Sequence, residues 1–436
     1  NQGLTPGLGV DSVEGFVIAI PPMFDAFTYR RNELYAEGVS LRKLALRYGT
    51  PLFVYSRNHL RRQYRSLAKA MARVKPLICY SMKANSNAAV LRIFLREGAG
   101  LDIVSGGELY RALRAGADPA TIVFAGVGKT QEEIEYALKT GILFFTVESE
   151  PEAARISACA RKLGRIGRIA FRANPDVDPG THRHITTGKK ENKFGLDARR
   201  LVRAYEHAAR LPNLELVGLH MHIGSQILSP HPFAVALRKI EGLCRELKAH
   251  YPTFRYLDIG GGIGIPYHAG QESLSPVAVA REILPVLQRL NLQVVMEPGR
   301  FLAGNAGALV CRVQYVKEIS GKKFVIVDAG MNDLIRPLLY EAHHEILAVA
   351  RRRGALRGDV VGPLCESGDY LALDRRLPAV RQGDLLAVMS AGAYGFAMAS
   401  NYNSRPRAAE IMVDGRRARV VRTRETWQDL VRCEVW

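Results

Sequence analysis

An amine, a carboxylate, an imidazole and a run of glycines stand at the ends of successive apolar stretches of this chain. Lys83 follows the stretch 77–81, Asp102 lies on 101–105, and His222 closes 216–222. Gly260-Gly261-Gly262 follows 256–259, and Glu297-Pro298-Gly299-Arg300 follows 292–296. Taken singly, each has a plain explanation: a lysine after a strand is usually solvated and a glycine run is usually a turn. Together they offer an imine-forming amine, an aromatic ring to stack, backbone amides that cradle a phosphate, and a carboxylate.

Other combinations carry less chemistry. Gly126-Val127-Gly128-Lys129-Thr130 resembles a phosphate loop, but the glycine required five places before Gly128 is Val123, so a turn and helix start are expected. Gly260–Gly264 is followed by Pro266 with no helix opening at once, which weakens a dinucleotide reading. His220 and His222 share one strand face, yet no neighbouring Asp, Glu or Cys completes a metal site in the sequence, and none is expected. His182 and His184, between Gly and Pro residues, read as a surface loop.

The elements that must position these groups follow from periodicity. Strand-like stretches at 77–81, 101–105, 121–125, 142–147, 169–173, 216–222, 256–259 and 292–296 alternate with segments of helical period at 88–97, 108–115, 131–139, 152–163 and 232–250. Gly98, Gly116, Gly141 and Gly164 mark helix ends. Eight strand–helix units describe a (β/α)8 barrel, whose reacting groups come from the C-terminal strand ends; a doubly wound open sheet is the alternative. After about residue 306, alternating stretches at 324–327, 384–389, 408–413 and 418–421 between Gly, Asp and Pro turns predict an antiparallel β domain, which 27–35 could join. The expected division is a leader or tag at 1–22, an N-terminal segment of the β domain at 23–57, the barrel at 58–306 and the C-terminal β domain at 307–436.

Composition sets the outer bounds. The 436 residues carry 61 Lys+Arg against 42 Asp+Glu, a formal net charge of +19. The positives are spread over many segments, so a basic solvated surface is expected rather than a nucleic-acid footprint. No apolar stretch reaches the roughly 18–20 residues of a membrane span. The six scattered cysteines form no CxxC pair, suiting a reducing compartment, and a cytoplasmic location is expected.

Longer motifs extend the pattern: Tyr80-Ser81-Met82-Lys83-Ala84-Asn85, Ser105-Gly106-Gly107-Glu108-Leu109, His222-Ile223-Gly224-Ser225-Gln226, Gly362-Pro363-Leu364-Cys365-Glu366-Ser367-Gly368-Asp369, Ala391-Gly392-Ala393-Tyr394-Gly395 and Asn401-Tyr402-Asn403-Ser404-Arg405-Pro406. With the glycine run and Glu297–Arg300 they lie in one order across residues 25 to 415. In these motifs the chain resembles the fold type III, alanine-racemase-like pyridoxal-phosphate decarboxylases, the class II ornithine/lysine/arginine group.

The resemblance implies roles. Lys83 would hold pyridoxal 5'-phosphate as an imine; with an ordinary lysine value of about 10.4, the site must depress it or keep it as the imine. His222 would stack on the ring, and Asp102 and Tyr394 would belong to the cofactor site. Ser225, the amides of Gly260, Gly261 and Gly262, and the turn Glu297, Pro298, Gly299 and Arg300 would bind the phosphate. Glu297 would pair with the pyridine nitrogen; alanine racemase uses an arginine there, so glutamate favours decarboxylation over racemisation. Cys365 would come from the partner copy of a homodimer with shared sites and protonate the carbon that lost carbon dioxide. Arg300, Arg336 and Tyr340 would hold a distal carboxylate, Glu366 the distal ammonium, and Tyr394 would reach the substrate. This grip implies an amino-acid substrate with a second carboxylate, meso-2,6-diaminopimelate, decarboxylated at its D-centre to L-lysine, the last step of lysine biosynthesis. An ornithine- or arginine-type decarboxylase and an amino-acid racemase of the same fold are the alternatives.

Overall fold

The computed structural model describes residues 24–178, 194–268 and 270–435. The leader at 1–22, the pair His182/His184 and the loop Thr187 to Asn192 lie outside them. Eight parallel strands close into a barrel in chain order: Leu77–Ser81, Gly100–Ile103, Ile122–Phe124, Phe144–Val147, Gly167–Ala173, Leu214–Met221, Tyr256–Asp258 and Gln293–Met296. The last pairs with the first through Val295↔Leu77 and Met296↔Ile78. Closure, which periodicity could not show, thus replaces the open-sheet alternative.

The intervening helices form because their ends are capped and one stripe is apolar. Asn87, Ser105, Thr130, Ser149, Asp197 and Ser275 accept first-turn backbone N–H groups, while Gly116, Gly141 and Gly164 close helices in left-handed backbone. Ser105, assigned above to a strand, is a helix cap: its hydroxyl accepts from Glu108 N at 3.2 Å. Helices Ala198–Ala208 and Pro276–Leu290 complete the outer ring.

A mostly antiparallel sheet, nine-stranded among the described residues, packs beside the barrel. Its centre is the long strand Gly307–Ile319, flanked by Leu52–Ser56, Lys322–Val327 and Leu385–Val388. Leu52–Ser56 also pairs in parallel with Ala409–Asp414. Side chains alternate across these strands. Phe53, Leu309 and Met412 join the core that continues into the barrel, whereas Leu52, Val54, Val310 and Ile411 pack on the other side against Phe24, Phe27, Leu34 and Leu41. The stretch 27–35 does not enter this sheet: Phe27–Arg30, Glu33–Ala36 and Val39–Ser40 make a separate three-stranded one.

The phosphate-loop resemblance dissolves as the sequence reading expects. The Lys129 ammonium is buried and donates to Gly126 O at 2.7 Å, Thr146 O at 2.7 Å and Glu152 Oε1 at 2.6 Å, with no donor left for a nucleotide. Thr130 and Glu133 cap the next helix reciprocally. Lys129→Met strands the buried Glu152 carboxylate and is expected to lower stability by about 3 kcal/mol in chemical denaturation. Adding ATP to the native protein should leave its Tm unmoved.

Candidate active site

A cavity of about 280 Å³ opens at the C-terminal ends of the barrel strands. Of the expected residues, Lys83, His222, Ser225, Gly262, Glu297, Gly299, Arg300 and Tyr394 line it. Lys83 sits in the short turn Met82–Ala84 that follows the first barrel strand. Its ammonium donates to Asp102 Oδ2 at 3.1 Å, which also receives the Ser81 hydroxyl at 2.6 Å. Asp102 is fully buried behind Lys83 rather than on the cavity wall. Burial alone would lower the lysine, but Asp102, Tyr394 and Glu297 outweigh it and hold Lys83 above its ordinary value. The site therefore does not depress this amine, which leaves the imine as the way to keep it uncharged.

Glu297 is buried at the end of the eighth strand. Burial opposes its charge, yet His220 and Lys83 hold the carboxyl far below the usual range. Its Oε2 lies 3.2 Å from His220 Nε2, and its Oε1 has no hydrogen-bond partner among the described residues. Asp258 faces the same group; burial and the Glu297 charge push it strongly up, toward its neutral form. His220, Asp258 and Glu297 offer ligand atoms within 4.8 Å of one another. No carboxylate is adjacent to His220 in the sequence, but in space the parallel register sets His220 opposite Asp258 and the next strand delivers Glu297.

The glycine run makes a tighter turn than a simple amide cradle. A Cβ on Gly261 would strike the Glu297 carbonyl, and Gly260 and Gly262 adopt φ of +67° and +109°. Gly260 N donates to Asp258 Oδ1 at 2.9 Å and Gly261 N to His222 Nδ1 at 3.2 Å. Those two amides are thus engaged inside the protein, against the expectation that all three face a phosphate; of the three glycines, Gly262 alone reaches the cavity wall. The bond from Gly261 fixes the histidine: Nδ1 accepts, and burial with Arg172 and Lys83 nearby holds His222 well below its ordinary value, hence neutral. Pro298 also points away, its carbonyl accepting from Ser81 N at 3.1 Å.

Arg300 donates to Ser225 Oγ at 3.1 Å and to the Tyr267 hydroxyl at 2.5 Å, with the Tyr394 ring 4.9 Å away. Arg336 and Tyr340 belong to the short helix Arg336–Tyr340, outside the cavity lining, though the Arg336 guanidinium lies 4.8 Å from the Tyr267 ring centre. Cys365 and Glu366 do not approach this cavity. Cys365 is exposed, its N–H donating to Asn403 Oδ1 at 3.1 Å, and Glu366 lies 3.5 Å from the Tyr402 hydroxyl.

The comparisons bear on this geometry. Residues 57–304 match the family model described as pyridoxal-dependent decarboxylase, pyridoxal binding domain. The chain belongs to the pyridoxal-dependent decarboxylase family. It is 48% identical over 404 residues to diaminopimelate decarboxylase of Aquifex aeolicus, covering 92% of this chain and 96% of the relative. Against the Pseudomonas aeruginosa enzyme of the same name it is 50% identical over 407 residues, 93% and 98% of the two. The crystal structure of diaminopimelate decarboxylase from Helicobacter pylori complexed with L-lysine aligns with TM-score 0.87 at 42% identity, covering 90% of this chain and 98% of that one. The co-complex from M. jannaschii gives 0.90 at 35%, covering 95% and 98%.

The cofactor of this decarboxylase family is pyridoxal phosphate, and the residues present fit it. A cavity-facing amine on Lys83 stands with an ionised carboxylate whose Oε1 lacks a partner, a neutral His222, and Ser225 and Gly262 on the wall. Sequence reasoning missed several neighbours. Arg172 lines the cavity, stacks 4.6 Å from Phe194 and donates to Glu148 Oε1 at 2.8 Å, while Glu148 Oε2 accepts from Gly195 N. An arginine inside the apolar strand Gly167–Ala173 was the available signal.

Glu108, beside Asp102 and Lys83, is raised by burial to about 7. A carboxyl that binds its proton more tightly when folded contributes stability below about pH 4.5, and that contribution is lost as pH rises through 7. Glu108→Gln keeps an acceptor for Val104 N and removes the titration. Between pH 5 and 8 the native protein should lose about 1–3 kcal/mol more stability than this variant, measured by denaturation at each pH.

Proposed function

We propose that the cavity binds pyridoxal phosphate and decarboxylates meso-2,6-diaminopimelate at its D-centre, giving L-lysine and carbon dioxide, as a carboxy-lyase at the end of lysine biosynthesis. The observation that carries the reading is Glu297, a buried carboxylate kept ionised with one oxygen unpaired beside the cavity. When bound, pyridoxal phosphate supplies an electron sink for the pair of electrons left as carbon dioxide departs. Glu297 would hold a proton on the ring nitrogen, and a charged ring is the stronger sink. His222 would offer its flat face to the ring, and Lys83 would anchor the cofactor through its Nζ, with Asp102 as its counter-charge. Ser225, Gly262, Gly299 and Arg300 form the wall where the phosphate is held. Tyr394 orders the site from the β domain: its N–H donates to Ala84 O at 2.8 Å, next to Lys83.

Substrate selection rests on cations. Arg300 and Arg336, with Tyr340, take the distal carboxylate, and Glu366 the distal ammonium. A carbon that has lost its carboxylate needs a proton, and we assign this to the thiol of Cys365 delivered by the second copy of a homodimer. Supporting that arrangement, Cys365 and Glu366 are exposed and away from their own chain's cavity. The cytoplasm suits six cysteines of which none is paired. No helix among the described residues is long and apolar enough to cross a membrane.

Given meso-diaminopimelate, ornithine, arginine and lysine separately with pyridoxal phosphate, the protein should release carbon dioxide from the first alone; preference for ornithine or arginine sinks the substrate assignment. Lys83→Ala should abolish borohydride-trapped cofactor, and retained covalent cofactor would show the anchor is another group. Shared sites make a further demand. Lys83→Ala and Cys365→Ala, each nearly inactive alone, should recover about a quarter of native activity when mixed and allowed to exchange subunits, since one site of each heterodimer regains both groups. Absence of recovery despite exchange would place Cys365 within its own chain's site.

A further inference from the structure

Arg300 and Arg336 are both buried, and neither has a carboxylate at ion-pair distance among the described residues. The Nε of each also lacks a hydrogen-bond partner there. Two unpaired guanidiniums in one buried site repel each other and lack full solvation, a costly arrangement unless an anion binds between them. Something must nonetheless hold them in place before the anion arrives.

Two residues with no assigned role do so. Tyr267 contacts both cations. Its hydroxyl accepts from Arg300 Nη1 at 2.5 Å, and its ring lies 5.9 Å from the Arg300 guanidinium carbon and 4.8 Å from that of Arg336. The hydroxyl thus holds Arg300, and the ring lies within cation–π range of Arg336. His344, fully buried, packs edge-on against Tyr267 with centroids 5.4 Å apart. Its Nδ1 lies 2.7 Å from Met389 O, a carbonyl that can only accept, so Nδ1 carries the hydrogen. Nε2 therefore presents a lone pair, and Arg336 Nη1 donates to it at 2.9 Å. The tautomer is fixed by the backbone, and a protonated ring would turn a donor against a donor. Burial and the neighbouring Arg336 hold His344 well below its ordinary value, consistent with a permanent acceptor.

We infer that His344 and Tyr267 are positioning residues which orient the Arg336 and Arg300 guanidiniums toward the distal carboxylate of the amino-acid substrate, and so set the preference for a substrate carrying one. This rests on the substrate reading above. It extends selectivity from the cations to a neutral imidazole that never meets the substrate.

The test compares L-lysine with 1,5-diaminopentane as inhibitors of the holoenzyme, because the two differ by the distal carboxylate alone. In His344→Ala, lysine inhibition should weaken about tenfold and KM for meso-diaminopimelate rise by a similar factor, while kcat and inhibition by diaminopentane stay within about threefold. His344→Gln, whose carboxamide oxygen can accept from Arg336, should recover most of the lost lysine affinity. Tyr267→Phe keeps the ring, removes the oxygen and should weaken lysine selectively. Equal weakening of both inhibitors, or of neither, in the two histidine variants overturns the inference while the substrate reading stands. If the native enzyme fails to prefer lysine over diaminopentane, the distal-carboxylate reading itself falls, and this inference falls with it.

Discussion

A carboxylate taken out of water is costly unless nearby groups offset the lost hydration, and a protein commonly resolves the conflict by protonating it. Two carboxyls at the mouth of this barrel, side by side, are resolved in opposite senses. Asp258 is pushed toward its neutral form, while Glu297, facing His220 and Lys83, is held toward its charged form. The pair illustrates how an environment assigns separate jobs to chemically similar groups. Were Asp258 ionised as well, Glu297 would meet a second negative charge in the same buried space. On the barrel side His220 Nε2 holds its Oε2 at 3.2 Å.

The parallel barrel is what makes such an arrangement available. Each strand ends at the same level, so residues far apart in sequence arrive together: Lys83, His222, Gly262 and Glu297 come from four strand ends. The turns are then shaped to the site by steric necessity. At Gly261 a side chain would collide with the carbonyl of Glu297, so the glycine run permits close approach of two strand ends first and presents an amide second.

Much of this was legible in the residues alone. The eight strands fall on the expected stretches because both faces of a barrel strand are buried, giving short continuous apolar runs that contrast with capped amphipathic helices. Ser105 was misplaced by the same logic, since a polar residue at a strand end and a helix cap look alike without the hydrogen bond. The amides of Gly260 and Gly261 were misread because composition shows a flexible turn but not where its N–H groups point. His220, Asp258 and Glu297 escaped as a cluster because their proximity depends on inter-strand register, which leaves no local trace. Tyr267 and His344 are harder still: they act through arginines contributed by other segments, and neither sits in a stretch whose spacing suggests chemistry.

The chain enters the barrel from Leu52–Ser56 and leaves it through Gly307–Ile319, and those two strands are hydrogen-bonded neighbours in the sheet, Leu309 facing Phe53. Barrel and sheet are consequently stitched by two adjacent crossings instead of a single strap. A single strand could swivel about its own axis; two hydrogen-bonded crossings oppose that torsion. The mouth of the barrel is thereby held at a set angle to the loops that the sheet carries, and any second molecule docking on those loops meets a rigid frame.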